Sequence, residues 1–387
     1  MRIIQASFII SLESPPIENG YLYIEDDGTI IHCTETPPIT NQFKVEVLEG
    51  IVCPGFINSH CHLELSHMKI PEAVGITKFI DLIPKQRVQK SSKIKEAIKL
   101  ADEKMQASGI VAVGDICNTD DTIEVKKNSS IKYHSFVELY GLNKTMAESI
   151  LKNGLNLMSE FDSNSLSCSL VPHAPYSVSP NLLKEIYFHS NGQLLSIHHQ
   201  ESQSENELFL NSSGGFVDLF EKNKLDLTSQ LNYRRSSSHY SLIQYLNKNQ
   251  PILLVHNTFS KESNIDEIEA ALNRVYWCTC PKSNWHIERS LPNYNLWLEK
   301  KLKITVGTDS LASNSSLSIL EEIKFIQKKC PTIPTEELLL WACKNGASYF
   351  GYDHLGSFLP GKNPGVLLIE NNDGLNLTKN SSVKVIA

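Results

Sequence analysis

Two histidines stand one residue apart in GIVCPGFINSHCHLELSH, residues 50–67, directly after an apolar run. In extended chain, residues i and i+2 project to the same side, so His60 and His62 can both reach one ion. Other reactive side chains close short apolar runs further along: His173 after SLVP, His198 and Glu201 after LLSI, His256 after ILLV and Asp309 after KITVGT. An HxH pair alone also arises by chance; placements on several separate runs point to one shared site. With His198 as a third nitrogen and Asp309 as an oxygen, three imidazoles and a carboxylate suit one divalent cation, Zn²⁺ first, with Fe²⁺ or Mn²⁺ as alternatives. Such an ion leaves room for a water whose pKa falls towards about 7.

Side chains so placed need strands that end together. From about residue 54 helical patterns alternate with short apolar runs. SSKIKEAIKLADEKMQASG (91–109) reads as a helix stopped by Gly109, and IVAVGDI (110–116) as the strand after it. Further strand candidates are IKYHSFVELYG (131–141), SLSCSLVPHAP (165–175), LLSIHHQES (194–202), PILLVHNTF (251–259), RVYWCTCP (274–281) and KITVGTD (303–309). Between them lie the helical patterns SPNLLKEIYFHS (179–190), SSSHYSLIQYLNKN (236–249), NIDEIEAALN (264–273) and LPNYNLWLEKK (291–301). Seven or eight βα units imply a parallel sheet, and eight imply an α/β fold of the closed TIM (β/α)8 type, whose chemistry sits at the C-terminal strand ends.

Both ends of the chain differ from this middle. Residues 1–53 are rich in Ile, Val and Tyr, with a hairpin signal at Asp27-Gly28, and the tail from about 355 returns to turns and apolar strands. The expected organisation is a small β-sandwich module built from residues 1–53 and 355–387, flanking a catalytic barrel over 54–354. Hydrophobic residues at 41% and charged residues at 20% allow a large core in a soluble protein. A net charge of −7 without a basic block argues against a nucleic-acid partner, and no apolar run is long enough to span a membrane. The apolar start is broken by Gln5 and Ser7 and is followed by no small-residue cleavage site, so it reads as a strand rather than a signal peptide. Nine cysteines without regular spacing suggest reduced thiols and a cytoplasmic location.

PGFINSHCHLELS, HHQES, VHNTF, GTDS and the closing GSFLPGKNPGVLLIE together resemble the amidohydrolase superfamily. Within it they are similar to the cytosine deaminase-like and triazine hydrolase branch, which includes adenosine-type, S-adenosylhomocysteine, guanine and aminodeoxyfutalosine deaminases. The similarity covers nearly the whole chain. It implies that His60, His62, His198 and Asp309 hold the metal, and that Glu201 is the proton-handling carboxylate. By strand alternation the neighbouring His199 then points away. His256 matches the sixth-strand histidine that polarises the attacked group or the water, and Asp309 matches the aspartate that also takes the water's proton. Two-metal members carry a modified lysine on the fourth strand; here Lys132 sits at the wrong end of that run, which favours one metal.

Substrate contacts are less determined. His173 resembles a substrate-contacting histidine of nucleoside-type members, while the plainer reading is a helix-entry loop with Ser179 as cap before Pro180. CPKSNWHIERSLPN (280–293) resembles the family's seventh-strand loop, where Asn284 and Trp285 line the pocket; Trp285 either stacks on a flat ring or simply packs. Glu64 either binds an amino or ribose hydroxyl group or faces solvent. His67 reads as a solvated loop residue and Cys61 as packing. The resemblance implies a small-molecule substrate and hydrolytic deamination of an amino-substituted heterocycle or adenine-type nucleoside, aminodeoxyfutalosine-like, releasing ammonia. The alternatives are a chlorohydrolase or amidase-type reaction, or a non-catalytic metal-binding homologue. Barrels of this family are commonly dimers or larger, which leaves a homodimer as the candidate assembly.

Overall fold

The computed structural model describes residues 1–38, 44–225 and 236–387. Residues 39–43 of the expected terminal module and 226–235 of the expected barrel lie outside the described residues. The amino-terminal strands are β1 (Arg2–Ile9), β2 (Ile17–Glu18), β3 (Tyr21–Ile24), β4 (Ile30–Thr34) and β5 (Val45–Pro54). The Asp27-Gly28 turn joins β3 to antiparallel β4, with Gly28 at φ +89° and the Thr29 amide donating to Asp27 Oδ1 at 2.9 Å.

Eight strands follow: β6 (Phe56–Cys61), β7 (Ile110–Cys117), β8 (Lys132–Leu139), β9 (Ser167–Pro172), β10 (Leu195–His199), β11 (Ile252–His256), β12 (Val275–Thr279) and β13 (Ile304–Val306). They pair in parallel, in sequence order, as two four-stranded sheets, β6-β7-β8-β9 and β10-β11-β12-β13. Runs such as ILLVH can be apolar throughout because these strands are covered on both faces; every residue of β6, β10, β11, β12 and β13 is buried. At one seam the His198 amide donates to the His173 carbonyl at 2.9 Å. At the other, the Thr308 and Asp309 amides both donate to the His60 carbonyl at 3.0 Å, and Asn58 exchanges two bonds with Thr308. That second approach is close: a Cβ at Gly307 would lie 2.8 Å from the His60 Cβ.

The tail supplies β14 (Val366–Glu370) and β15 (Ser382–Val385). Strand β5 pairs parallel with β1 on one side and antiparallel with β14 on the other. Strands from both ends therefore share one seven-stranded sheet, β15-β14-β5-β1-β3-β4 with β2 on β1. Where two packed sheets were expected, the hydrogen bonding is continuous, because β5 serves both termini. A separate apolar cluster, including Ile4, Leu22, Val52, Val366 and Leu368, packs within this module.

Several helices follow from local signals. Ser91–Ala107 stops before Gly109 at φ +80°, and Pro180–His189 begins at Ser179, whose hydroxyl accepts from the Leu182 amide. Glu262–Ala271 and Tyr294–Glu299 lie within two further expected spans. Two segments depart. Residues 236–249 form only the short helix Tyr240–Ile243, because Asn247 turns the chain by accepting the Asn249 amide at 3.0 Å. Residues 280–293, read as a loop, begin with the helix Pro281–Glu288, where Pro281 fills a first-turn position that needs no amide donor. The helix Ile76–Arg87 had no expected counterpart. No helix among the described residues is long and apolar enough to cross a membrane.

Candidate metal centre and active site

The reactive side chains gather where β6, β9, β10, β11 and β13 end. His60 closes β6 and His62 lies just past it; Asp309 follows β13. Three non-glycine residues leave their strands in left-handed backbone: Gln200 (φ +44°), His256 (φ +76°) and Asp309 (φ +58°). Such conformations cost about 1–3 kcal/mol each and persist where the surroundings enforce them. Here they turn functional side chains across the sheet ends.

His62 Nε2 lies 3.2 Å from His60 Nε2 and 3.3 Å from His198 Nε2. Asp309 Oδ1 is 3.5 Å from His62 Nε2 and 4.0 Å from His60 Nε2. A tetrahedral ion with ligands at about 2.0–2.1 Å would separate them by about 3.3 Å. Three of these four spacings match that edge and the fourth is longer, as an expanded coordination shell would allow. The donor set thus fits a divalent cation. His60, His62 and Asp309 form one candidate ligand group, and His60, His198 and His256 an overlapping one.

Proton positions support the same reading. His198 Nδ1 donates to the His173 carbonyl at 2.9 Å; a carbonyl can only accept, so the lone pair lies on Nε2, facing His62. His256 Nδ1 likewise donates to Asn284 Oδ1 at 2.7 Å, leaving Nε2 towards Glu201 Oε1, 3.7 Å away. Burial, then neighbouring imidazoles, holds His60 and His198 well below the ordinary histidine range. Burial alone would raise Asp309, but the charges of His62, His256 and His60 and the Ser283 hydroxyl bring it down to about 2. Burial lifts Glu201 well above the carboxylate range, and Asp309 and Glu288 add to the lift. The site therefore pairs neutral imidazoles and one ionised carboxylate with one protonated carboxyl.

Among the other expected residues, His173 lies beside His198, with ring centroids 4.7 Å apart. Asn284 is buried against His256. His199 turns instead to Asn257 Oδ1 at 2.9 Å, and Cys61 is buried in the main core. Two readings are corrected. Glu64 neither faces solvent nor has an open carboxylate. It is buried, pairs with Arg87, and accepts from the Asn118 amide (3.0 Å) and the Thr119 amide and hydroxyl (3.1 and 3.0 Å). Trp285 does not line the metal centre. On a helix it points about 100° away from Asn284, into a separate cavity of about 710 Å³ with Lys104, Leu317 and Phe325, under Lys329 Nζ at 3.5 Å from its ring.

Three groups had drawn no attention in the sequence. Ser283 and Ser313 donate to Asp309 Oδ2 at 2.6 and 2.8 Å and leave Oδ1 facing the histidines. Glu138, near the end of β8, lies 3.6 Å from His198 Nδ1; an acid closing the apolar run SFVEL was its signal. Over the strand ends stands an apolar roof with Leu65, Met68, Phe79, Tyr176 and Phe216, in which the Tyr176 and Phe216 rings stack at 4.2 Å.

The amidohydrolase family model matches residues 51–385. The chain is 28% identical over 356 residues to an aminodeoxyfutalosine deaminase of a Nitratiruptor species, covering 87% of this chain and 83% of that one. Its fold is similar to that of Helicobacter pylori aminofutalosine deaminase in complex with methylthio-coformycin, with a TM-score of 0.79 at 23% identity over 98% and 94% of the two chains. It is also similar to an atrazine chlorohydrolase of Arthrobacter aurescens TC1 complexed with zinc, with a TM-score of 0.73 at 17% identity over 98% and 90%.

Proposed function

This chain belongs to the amidohydrolase family, and from that premise we propose that it is a hydrolytic deaminase of an adenine-type nucleoside that depends on one divalent metal ion. The observation that carries this reading is the set of His60, His62, His198 and Asp309 at spacings that suit one ion, with a protonated Glu201 beside His256. The similarity to a deaminase of an aminated nucleoside supports the substrate class, and the zinc-bound relative supports Zn²⁺. When bound, the ion makes a water acidic enough to attack near neutral pH.

The protein's own groups handle the rest. Asp309, held at Oδ2 by Ser283 and Ser313, takes the proton of the attacking water through Oδ1. Glu201 donates its proton to the ring nitrogen next to the attacked carbon, so charge does not accumulate there. His256, held in one tautomer by Asn284, orients the attacking oxygen. The apolar roof excludes bulk water. Collapse with loss of ammonia completes the reaction.

In this reading residues 54–354 form the closed TIM (β/α)8 catalytic barrel, and residues 1–53 with 355–387 its terminal module. A homodimer in the cytoplasm agrees with family habit and with nine free cysteines. The test is ammonia release by the metal-loaded protein across adenosine, S-adenosylhomocysteine, methylthioadenosine, aminodeoxyfutalosine, guanine, cytosine and an aminotriazine. Asp309→Asn should lower kcat at least about 10³-fold, the loss expected when a group acting as base is removed. An unaffected rate would remove Asp309 from the reaction. The similarity to a chlorohydrolase favours a second reading, another leaving group at the same centre; chloride from a chlorotriazine without ammonia from any member of the panel would establish it.

A further inference from the structure

Glu138 is buried, its side chain 3% exposed, yet its two oxygens are treated unequally. Oε2 accepts from Asn118 Nδ2 at 3.2 Å. Asn118 in turn accepts from Arg87 Nη1 at 3.3 Å, and Arg87 pairs with the buried Glu64. This chain of contacts explains why Glu64 is closed to a ligand: its partners hold Arg87, Asn118 and Glu138 in place. Oε1 is buried and has no hydrogen-bond partner. Burying a carboxylate oxygen without a donor is costly, and such an exception calls for an explanation. The nearest proton, on His198 Nδ1, is 3.6 Å away and already given to the His173 carbonyl at 2.9 Å.

A second acceptor lies beside it. Glu138, His173 and His198 each bring one ligand atom within 4.8 Å of the others. The Ser177 hydroxyl donates to the Ala174 carbonyl at 3.1 Å, so it accepts from His173 Nδ1 at 2.7 Å. That leaves His173 Nε2 with a lone pair. The wall of the site next to the metal ligands thus offers two acceptors and no donor between them. Inward alternation along β8 agrees: Tyr133 reaches out to Asp102 of the helix Ser91–Ala107, whereas Phe136 and Glu138 share the opposite face.

We propose that Glu138 Oε1 and His173 Nε2 form a two-acceptor subsite for the vicinal hydroxyls of a ribose. Each hydroxyl donates one hydrogen bond, and the substrates are ribonucleosides rather than free bases or deoxynucleosides. This rests on the deaminase reading and adds the substrate's sugar to it. Glu138 is a specificity-determining contact that takes no part in proton transfer.

The experiment uses the metal-loaded full chain, wild type and Glu138→Gln, with adenosine, 2′-deoxyadenosine, 3′-deoxyadenosine and adenine. Ammonia release gives kcat/KM and calorimetry gives Kd, with metal content measured in each preparation. In wild type, loss of one hydroxyl should weaken Kd and lower kcat/KM by about 10- to 100-fold. In Glu138→Gln, whose amide can place a donor where Oε1 was, that ratio should fall to within about 3-fold, with metal content unchanged. Ribose-selective binding that is lost in the variant, without ammonia release, would uphold the subsite and overturn the deaminase reading. Ammonia release without preference for the ribose hydroxyls would do the reverse. Equal weakening of all four ligands in Glu138→Gln, or loss of metal, would also overturn the subsite and leave Glu138 a support for His198. Absence of both turnover and ribose-selective binding would overturn both.

Discussion

His256 shows how much of a site's chemistry depends on a neighbour. Its Nδ1 proton goes to Asn284 Oδ1 at 2.7 Å, and only that bond keeps Nε2 as the atom facing Glu201. Asn284→Leu removes the acceptor and frees the ring to change tautomer. We expect kcat to fall roughly tenfold to a hundredfold while the bound metal stays at one equivalent, read by steady-state kinetics beside metal analysis. A drop in metal content instead would make His256 a ligand. At this scale the sequence was informative about residue types and poor about directions. His60, His62, His198 and Asp309 were legible because each closes an apolar run. The environment of Glu64 was not, because Arg87, Asn118 and Thr119 reach it from 23, 54 and 55 residues away in the chain. Ser283 and Ser313 were equally silent, since a serine beside a carboxylate has no local signature.

The seam between β13 and β6 is where an element decides the site. The His60 carbonyl receives two amides from residues 308 and 309, so the strand that carries one proposed ligand fixes the residue that supplies another. Gly307 permits the approach, since an added Cβ would meet both the His60 Cβ at 2.8 Å and its carbonyl at 2.9 Å. Gly307→Ala should therefore push His60 off its neighbours. We expect a loss of about 1–3 kcal/mol in stability and weaker metal retention, read by denaturation and by competition with a chelator. Unchanged values for both would mean that the seam yields freely. Strands β7 to β13 were legible because each is a compact apolar run. Residues 280–293 were not, because their pattern is polar and the Pro281 start signal was read as part of a loop. That one error misplaced Trp285, since adjacent residues share a pocket wall in a loop but diverge by about 100° on a helix.

Over the whole molecule, buried titratable groups tie stability to pH. His134 lies in the core of the parallel sheets, its ring nitrogens on the Ser167 and Ser169 hydroxyls at 2.8 and 2.9 Å. Burial, reinforced by the charge of Lys126, lowers its pKa to about 3 from an ordinary value of 6.5. The folded pKa is below the unfolded one, so the folded state binds fewer protons between them. The stability this neutral ring contributes is complete above about pH 6.5 and is lost as the pH falls from there towards about 3, by at most about 1.4 kcal/mol per pH unit. His134→Gln keeps hydrogen-bonding capacity for both serines without titrating. Denaturation at pH 6.5, 5.5 and 4.5 should show a shallower decline in the variant. Identical slopes would place the acid sensitivity elsewhere.

The chain by itself determined the alternation of strand and helix, the β-rich character of both ends, and the residue types of the proposed metal centre. Those properties are local: period, turn chemistry and the residue at the end of each run are written within about ten positions. Only the tertiary structure decided that β5 would join both termini in one sheet and which histidine nitrogen would carry the proton. It alone showed that Glu64 would be spent on Arg87 while Glu138 kept an oxygen open. These outcomes depend on which groups meet across long stretches of chain and on how each donor finds its acceptor once water is excluded.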